Sequence, residues 1–335
     1  MDYEFELVLR NNKLNVSELG FTNYGNTCYL NSFLQCLLST KDFVKIFLTK
    51  DFLISLSQNI LNENENFMST EKFNEKKKST LTYQLYELIF KIWTNNNFVN
   101  EHRILTQYIT HEYRFGYAQQ DTDDFMIKFF NSIHVEVLQT YKIGENNALN
   151  DKSLISQLFQ YKTQSIILCH NQFCGYKSNT MNNTLKLFVY NNNNNNNIDI
   201  DLNNFMKTYY QNPEKLTDYK CEQCGQTNVT KEYKIISTPK YFIISFKRFS
   251  YTTWGNKLTY NVHYFDNISI NGDNFQLYGI IKHIGINLQF GHYISRCRHI
   301  YDNKWYEFDD RYVHELPNNN HIDPQAYVLF YEKIK

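Results

Sequence analysis

Apolar residues in the first ~145 positions recur at the spacing of amphipathic helices. This spacing predicts helices over Tyr29–Leu38, Leu81–Trp93 and Glu101–Ile109, and a longer helix from about Asp121. The longer helix carries its large apolar side chains on one face, at Phe125, Phe129, Ile133 and Val137. Residues 62–79 are polar and charged, which predicts an exposed loop. We therefore expect this part of the chain to be mainly helical.

The pattern changes at about residue 160 to short runs rich in β-branched and aromatic residues. These runs read SIIL, LKLFVY, YFIISFKRF, QLYGIIKHIG, GHYISRCRHI, KWYEF and AYVLFYE. The asparagine tract 191–197 interrupts them and is typical of a flexible connection. Helices followed by strands predict an α+β fold.

Composition limits the classes of partner. The 335 residues carry 34 basic and 34 acidic side chains, with a pI near 7.1, so there is no basic footprint for nucleic acid. The N-terminal stretch lacks the apolar core of a secretory signal, and no apolar run approaches the ~18 residues of a membrane span. Seven cysteines, an odd number, favour reduced thiols over a disulfide framework. We therefore expect a protein of the cytoplasm or nucleus, without a nucleic-acid or membrane partner.

One thiol, Cys28, lies where a turn-prone cluster meets an apolar helix, in the stretch NYGNTCYLNSFLQCLL. Asn26 or Thr27 is a good N-cap, which places Cys28 in the first turn. Unpaired N–H groups and the helix dipole at that end stabilise a thiolate. The alternative is an ordinary buried cysteine, which is what we expect of Cys36 and Cys297.

A reactive thiolate needs a proton acceptor, normally a histidine from elsewhere in the chain. Among ten histidines His292 stands out, because it follows Gly291 and opens a β-like run. Asp309 and Asp310 close a later run, KWYEFDD, where a carboxylate could orient the imidazole as the third member of a triad. A structural histidine and a turn-forming acidic pair are the alternatives. The residues alone leave this choice open.

Four longer segments carry a further signal. They read GFTNYGNTCYLNSFLQCLL, GYAQQDTDDFMIKFFNSI, PKYFIISFKRF and YGIIKHIGINLQFGHYISRCRHIYDNKWYEFDDRYV, and they lie between residues 20 and 313. In this order they resemble the cysteine box, the Gln-Gln-Asp-Ala-x-Glu-Phe motif, the Leu-Lys-Arg-Phe strand and the histidine box of the ubiquitin-specific proteases. The chain is thus similar to this family of deubiquitinases over nearly its whole length.

The resemblance implies a papain-like cysteine peptidase fold, described as a right hand with a helical thumb, a β palm and zinc-bearing β fingers. The whole chain, residues 1–335, is then one catalytic domain. The thumb is expected over about residues 20–150, and the fingers and palm over about residues 151–335, with the asparagine-rich loop at 191–197.

Motif positions also imply roles for individual residues. Cys28 is expected to be the nucleophile, His292 the general base and Asp309 the residue that orients His292. Asn23 matches the family's oxyanion-stabilising amide, and a side-chain N–H₂ donor suits that role chemically. Asp310 stays open between a second supporting carboxylate and a turn cap.

The resemblance further implies a channel for the C-terminal tail of ubiquitin, which is extended, carries arginines and ends in two glycines. Asp121 and Asp124, three apart at a helix start, share a face and match the acidic family positions that face this tail. The family's Glu is shortened to Asp124 here, and its Ala is Thr122. Helix capping is the alternative role for the acids. His283 and Tyr293 also match positions near the tail.

Two cysteine pairs in the strand-rich part have the spacing of a metal site. Cys169 and Cys174 lie in CHNQFC, Cys221 and Cys224 lie in CEQC, and four thiolates in two close pairs suit tetrahedral Zn²⁺. The resemblance places one structural zinc ion per chain at the fingertips. The first pair has four intervening residues instead of the family's usual two, so His170 is an alternative ligand. The alternative to a zinc site is a finger whose cysteines are reduced and hold no metal.

The resemblance therefore implies a thiol-dependent hydrolase of the peptide or isopeptide bond after the C-terminal glycine of ubiquitin. Its partners would be ubiquitin and ubiquitinated proteins, and an activating protein partner is compatible with the resemblance. Two alternatives remain: an isopeptidase for another ubiquitin-like modifier, and an inactive ubiquitin-binding scaffold. The intact Cys28, His292 and Asp309 argue against the scaffold. Neutral charge argues against a zinc module for nucleic acid.

Overall fold

The computed structural model describes residues 14–49, 52, 56, 79–94, 97–115, 118–138, 153–189, 199–211, 213–249, 257–317 and 322–334. The predicted loop over residues 62–79, apart from Ser79, and the asparagine tract 191–197 lie outside these ranges. Within them, no helix has both the length and the apolar character that crossing a membrane requires.

The first part of the chain is helical, as its periodicity predicts. Its helices are α1 (Cys28–Leu38), α2 (Lys41–Phe47), α3 (Leu81–Trp93), α4 (Val99–Glu112), α5 (Thr122–Leu138) and α6 (Leu154–Phe159). Every residue of α1 is buried, because other helices pack against it and the large sheet described below covers it as well. Helices α2 and α6 have 7 and 6 residues, which is less than two turns each. They are too short for an apolar period to reveal them.

Strands and one further helix form the rest of the fold. The helix is α7 (Leu202–Gln211), and the strands are β1 (Tyr161–Cys169), β2 (Lys177–Thr184), β3 (Lys186–Val189), β4 (Ile200–Asp201), β5 (Glu214–Leu216), β6 (Val229–Ile235), β7 (Tyr241–Phe246), β8 (Val262–His263), β9 (Asn267–Ile270), β10 (Asp273–Gly285), β11 (Gly291–Arg298), β12 (Trp305–Asp309), β13 (Tyr312–Leu316), β14 (Ile322–Asp323) and β15 (Ala326–Ile334).

These strands pair into three sheets. The large sheet has the order β13-β12-β11-β10-β15-β7-β3, with β9 added to β10, and its pairs are antiparallel except for β3 with β7. A second sheet has the order β2-β1-β6-β5 and ends at the four cysteines of the predicted metal site. A small sheet joins β14, β8 and β4.

The central strands of the large sheet are buried on both faces. Tyr241 and Ile243 of β7 belong to the core shared with the helices, whereas Phe242 and Ile244 belong to a second core that includes α7. A strand covered on both sides reads as a continuous apolar run, and the run YFIISF is one. The helices and the sheet are therefore joined by one hydrophobic cluster that surrounds α1.

Strand β2 was not predicted. Its sequence, KSNTMNNT, is polar and mostly exposed, so it lacks the alternation that marks a half-buried strand. It is nevertheless paired with β1 along its whole length, from Tyr161 opposite Thr184 to Leu168 opposite Lys177. Main-chain hydrogen bonds to an adjacent strand, rather than side-chain burial, hold it in place.

Candidate active site

The turn before α1 orients the start of that helix. Asn23 Oδ1 accepts hydrogen bonds from the main-chain N–H groups of Gly25 (3.0 Å) and Thr27 (3.1 Å). Gly25 and Asn26 take positive φ angles of 101° and 54°, which reverse the chain tightly. Thr27 is the N-cap residue, one of the two predicted, but its side chain bonds the preceding turn instead of the helix N–H groups. Cys28 is consequently the first residue of α1, as predicted, and it is buried.

His292 comes to the thiol from the edge of the large sheet. It is the second residue of β11, and Gly291 before it has no room for a side chain, because a Cβ there would lie 2.2 Å from Nε2 of His283. His283 and Tyr293 face each other across β10 and β11, with ring centroids 4.8 Å apart, and both side chains are buried. Any direct contact of these two rings with a ligand stays a prediction.

The predicted nucleophile, base and orienting acid meet at one place. His292 Nε2 lies 2.6 Å from Oδ1 of Asp309, which ends the neighbouring strand β12. A hydrogen bond with the Cys28 side chain, together with the bond to Asp309, raises the pKa of His292 to about 9 against the opposing effect of burial. The imidazole is thus hydrogen-bonded to a carboxylate and close enough to the thiol for Cys28 to raise its pKa, the arrangement that triad chemistry requires.

Asp310 connects the two sides of the site. Its Oδ2 accepts a hydrogen bond from Nδ2 of Asn23 (2.9 Å), and its Oδ1 accepts one from Nδ2 of Asn31 (2.8 Å). Gly20 allows the segment before the cysteine turn to approach this turn closely, since a Cβ there would lie 2.3 Å from the main-chain oxygen of Arg311. The structure therefore brings Asn23 and Asp310 into direct contact beside Cys28.

Sequence reasoning missed some neighbours of the site. The side-chain amide of Gln119 contacts Cys28, with Nε2 3.3 Å and Oε1 3.7 Å from the sulfur. Gln119 lies in the quoted segment GYAQQDTDDF, so that motif was the available signal. Asn31 lies three residues after Cys28 on the same helix and hence near the same face. No sequence signal pointed to His102, which hydrogen-bonds to Asn31.

The two acids predicted to face a ligand tail have different surroundings. Asp121 accepts hydrogen bonds from the Tyr327 hydroxyl (2.7 and 2.8 Å) and from the main-chain N–H of Asp123 (2.8 Å). Burial, reinforced by the nearby charge of Asp123, raises the pKa of Asp121 to about 7. Asp124 is exposed. Asp121 is thus hydrogen-bonded within the protein, whereas the side chain of Asp124 is accessible to a ligand from solvent.

The four predicted metal ligands converge at the end of the second sheet. Their sulfur atoms all lie within 4.8 Å of one another: Cys169, Cys174, Cys221 and Cys224. The sulfur of Cys169 lies 3.7 Å from that of Cys224, and the sulfur of Cys174 lies 3.6 Å from that of Cys221. Tetrahedral Zn²⁺ with Zn–S bonds of about 2.3 Å requires sulfurs about 3.8 Å apart, so these thiols could hold a zinc ion.

The loops that carry these cysteines explain the unequal spacing. In the longer loop, Phe173 and Gly175 take positive φ angles of 72° and 63°, which turn the chain back despite the two extra residues. In the shorter loop, the N–H of Gly225 donates to the main-chain oxygen of Cys221 at 2.8 Å. His170 is turned away to Thr230, with Nε2 2.7 Å from the hydroxyl, so the structure favours four thiols over a set including this histidine.

Known proteins are similar to this chain over nearly its full length. The sequence profile described as "Ubiquitin carboxyl-terminal hydrolase" matches residues 19–331. Ubiquitin carboxyl-terminal hydrolase Usp2 of Drosophila melanogaster is 28% identical, over 94% of this chain and 34% of the fly protein. Ubiquitin carboxyl-terminal hydrolase 2 of Bos taurus is 26% identical, over 93% of this chain and 54% of the bovine protein. The chain therefore spans only part of the length of these relatives.

Solved structures show the same fold. A structure of the SAGA DUB module, with Ubp8, Sgf11, Sus1 and Sgf73 bound to monoubiquitin, gives a TM-score of 0.74 at 20% identity and covers 100% of this chain and 76% of that chain. A structure of the module bound to ubiquitin aldehyde gives a TM-score of 0.71 at 20% identity, covering 100% of this chain and 74% of that chain. The predicted α+β fold is thereby confirmed.

Proposed function

The chain belongs to the ubiquitin carboxyl-terminal hydrolase family, and on this premise we propose that it is a thiol-dependent deubiquitinase. The observation that carries the proposal is the meeting of Cys28 at the start of α1, His292 on β11 and Asp309 at the end of β12. These are the nucleophile, base and orienting group of a cysteine hydrolase. The bond to be cleaved is the peptide or isopeptide bond after the C-terminal glycine of ubiquitin.

The geometry suggests how each group acts. Because Asp309 engages Nε2 of His292, Nδ1 is the ring nitrogen left for the Cys28 thiol. His292 takes the thiol proton, and the thiolate attacks the carbonyl carbon of the terminal glycine. The amide of Asn23 supplies an N–H donor for the negative oxygen of the tetrahedral intermediate.

Collapse of that intermediate expels the substrate amine, which takes the proton from His292, and leaves a thioester on Cys28. His292 then accepts a proton from water, whose oxygen attacks the thioester carbonyl. The second intermediate releases the ubiquitin carboxylate and returns the proton to Cys28. Asp309 stays hydrogen-bonded to His292 throughout and stabilises the imidazolium in each step.

The channel for the ubiquitin tail is proposed around the start of α5. Asp124 is exposed and can form a charge-assisted bond with a tail arginine. Asp121 has the Tyr327 hydroxyl as an internal partner, which suits a role in holding the start of α5 against β15 as well as a role beside the tail. His283 and Tyr293 remain the further tail-binding residues of this proposal.

The four fingertip thiols, Cys169, Cys174, Cys221 and Cys224, are proposed to hold one structural zinc ion per chain. Bound there, zinc supplies a cross-link between the loop after β1 and the loop before β6, and takes no part in bond cleavage. Asn171 supports this set by donating hydrogen bonds to two of the sulfurs, at 3.2 and 3.6 Å.

Partners and location follow from the same premise. We propose ubiquitin and ubiquitinated proteins as substrates for one catalytic domain, whose thumb, palm and fingers have the predicted bounds. The solved neighbours assembled with Sgf11, Sus1 and Sgf73 make an activating protein partner a reasonable expectation. The odd number of cysteines favours the cytoplasm or nucleus. A related modifier as substrate is the alternative that the next experiment decides.

The test is a panel of fluorogenic substrates made from ubiquitin and ubiquitin-like modifiers. We expect hydrolysis of the ubiquitin substrate, no hydrolysis by Cys28→Ala, and retained ubiquitin binding by that variant. Cys36→Ala is the matched control, since Cys36 is a second buried thiol of α1 whose sulfur contacts Cys297, 3.5 Å away, and not the site. Turnover by Cys28→Ala would refute the assignment, and exclusive hydrolysis of another modifier would replace the substrate.

A further inference from the structure

Asp310 is held between two amides that come from opposite directions. Asn23 donates to Oδ2 (2.9 Å) from the loop before α1, and Asn31 donates to Oδ1 (2.8 Å) from within α1. Asp310 itself has a φ of 51°, a conformation that a residue other than glycine seldom adopts without support. The orientation of its carboxylate therefore depends on both amides.

The second amide is itself held by a histidine. Asn31 is buried, and its Nδ2 faces a carboxylate oxygen, so its Oδ1 must be the atom that faces His102 Nε2 at 3.0 Å. An amide oxygen can only accept a hydrogen bond, which means that His102 must carry its proton on Nε2. His102, Asn31, Asp310 and Asn23 thus form one chain of hydrogen bonds, which we call the amide relay.

His102 is suited to a fixed role in this relay. Its side chain is buried and stacks on Phe21, with ring centroids 4.3 Å apart and planes 7° from parallel. The main-chain N–H of Phe21 donates to the main-chain oxygen of Asp310 at 2.8 Å, so the residue whose ring stacks on His102 also holds the turn that contains Asp310 through its backbone. Burial lowers the pKa of His102 to about 3, which keeps the imidazole neutral near pH 7.

We propose that His102 and Asn31 are positioning residues that orient the Asp310 carboxylate and, through it, the oxyanion donor Asn23. The proposal rests on the proposed function, since it assigns a purpose to a hydrogen bond beside Cys28. Nδ2 of Asn31 also donates to the main-chain oxygens of Thr22 (3.3 Å) and Phe21 (3.5 Å). Loss of the His102 donor would therefore leave Oδ1 of Asn31 without that partner and loosen the amide that faces the Asp310 carboxylate. Asp310 would then shift, and Asn23 would lose the partner that aims its amide.

The experiment replaces His102 in two ways. His102→Phe keeps a ring to stack on Phe21 and removes the N–H donor, whereas His102→Gln keeps a donor and removes the aromatic ring. The matched control is His299→Phe, because His299 is also buried, stacks on Trp93 at 5.9 Å and has its pKa lowered to about 4 by burial. His299 makes no contact with the relay among the described residues. Melting temperatures report the structural cost of each change.

With a fluorogenic ubiquitin substrate, we expect His102→Phe to lower kcat by about 10- to 100-fold, as for a misplaced oxyanion donor, while KM changes little. His102→Gln should recover most of kcat, and His299→Phe should retain it. Alkylation of Cys28 by iodoacetamide should stay at the wild-type rate, because that reaction forms no oxyanion. A kcat loss no larger than that of His299→Phe, or a parallel loss of alkylation, would overturn the proposal.

A second measurement does not depend on activity. The Nε2–H proton of His102 should give a slowly exchanging NMR signal in the wild-type protein, and Asp310→Asn should shift that signal through Asn31. An unshifted or absent signal overturns the relay even if the His102 variants fail to fold. Failure of the proposed function can be told apart from failure of the amide relay. If the wild-type protein hydrolysed no ubiquitin substrate, the proposed function would be wrong, and the NMR signal alone would then show whether the amide relay exists.

Discussion

Replacing Asp309 by Asn removes one charge from the pair with His292 and keeps a hydrogen-bonding side chain. The two groups lie 2.6 Å apart, and their side chains are 35% (His292) and 48% (Asp309) exposed. A hydrogen bond to a charged group contributes about 1.5–3 kcal/mol when water is excluded. Screening at a half-exposed pair reduces this to about 1 kcal/mol. Since a change of one in pKa corresponds to about 1.4 kcal/mol, we expect the pKa of His292 to fall by slightly less than one.

A lower pKa of His292 should move the alkaline decline of kcat/KM to lower pH. In the proposed mechanism, His292 must be protonated to deliver a proton to the leaving amine. Because its pKa is raised to about 9, kcat/KM should decline as the pH rises through that value. In Asp309→Asn the decline should begin at a lower pH. Turnover near pH 7.5 should also fall by about 10²- to 10⁴-fold, as for other triad carboxylates, because the imidazole loses the partner that sets its tautomer.

The assay is kcat and kcat/KM for a fluorogenic ubiquitin substrate from about pH 6 to 10. Glu307→Gln is the matched control, since it removes a carboxylate from the same strand whose partner is Arg296, at 2.7 Å. An unmoved basic limb with near-normal turnover in Asp309→Asn would refute the orienting role. A much larger loss in Asp310→Asn than in Asp309→Asn would transfer that role to the neighbouring acid.

Two other predictions concern the fingers and the tail channel. Cys224→Ser should release the single zinc ion, measured by elemental analysis, and weaken ubiquitin binding while Cys28 still reacts with a small electrophile; His170→Ala should keep the metal. Zinc retained by the serine variant would contradict the four-thiol site. Asp124→Asn should raise KM more than it lowers kcat, since it removes a contact made in both the ground state and the transition state. An unchanged KM with a lower melting temperature would favour helix capping instead.

Much of the site was readable because its signals are local. The apolar period defines α1, and a turn cluster ahead of it places Cys28 in its first turn, so the sequence predicted the start of the helix to within one residue. Leu81–Trp93 begins and ends where its periodicity predicts. The two cysteine pairs follow from spacing alone, and the structure joins them. In each case the determining interactions lie within a few residues of one another.

What the sequence by itself determined is therefore the longer helices and the apolar strands, the chemical types at their ends and the family to which the chain belongs. The tertiary structure decided which polar groups meet. Asn31 and Asp310 are 279 positions apart, and His102 and Asn31 are 71 apart, so no local pattern announces either bond. The structure likewise showed that Tyr327 engages Asp121 and that a polar segment forms β2. These features arise from packing between distant elements, whose buried polar groups must find partners wherever the fold brings them together.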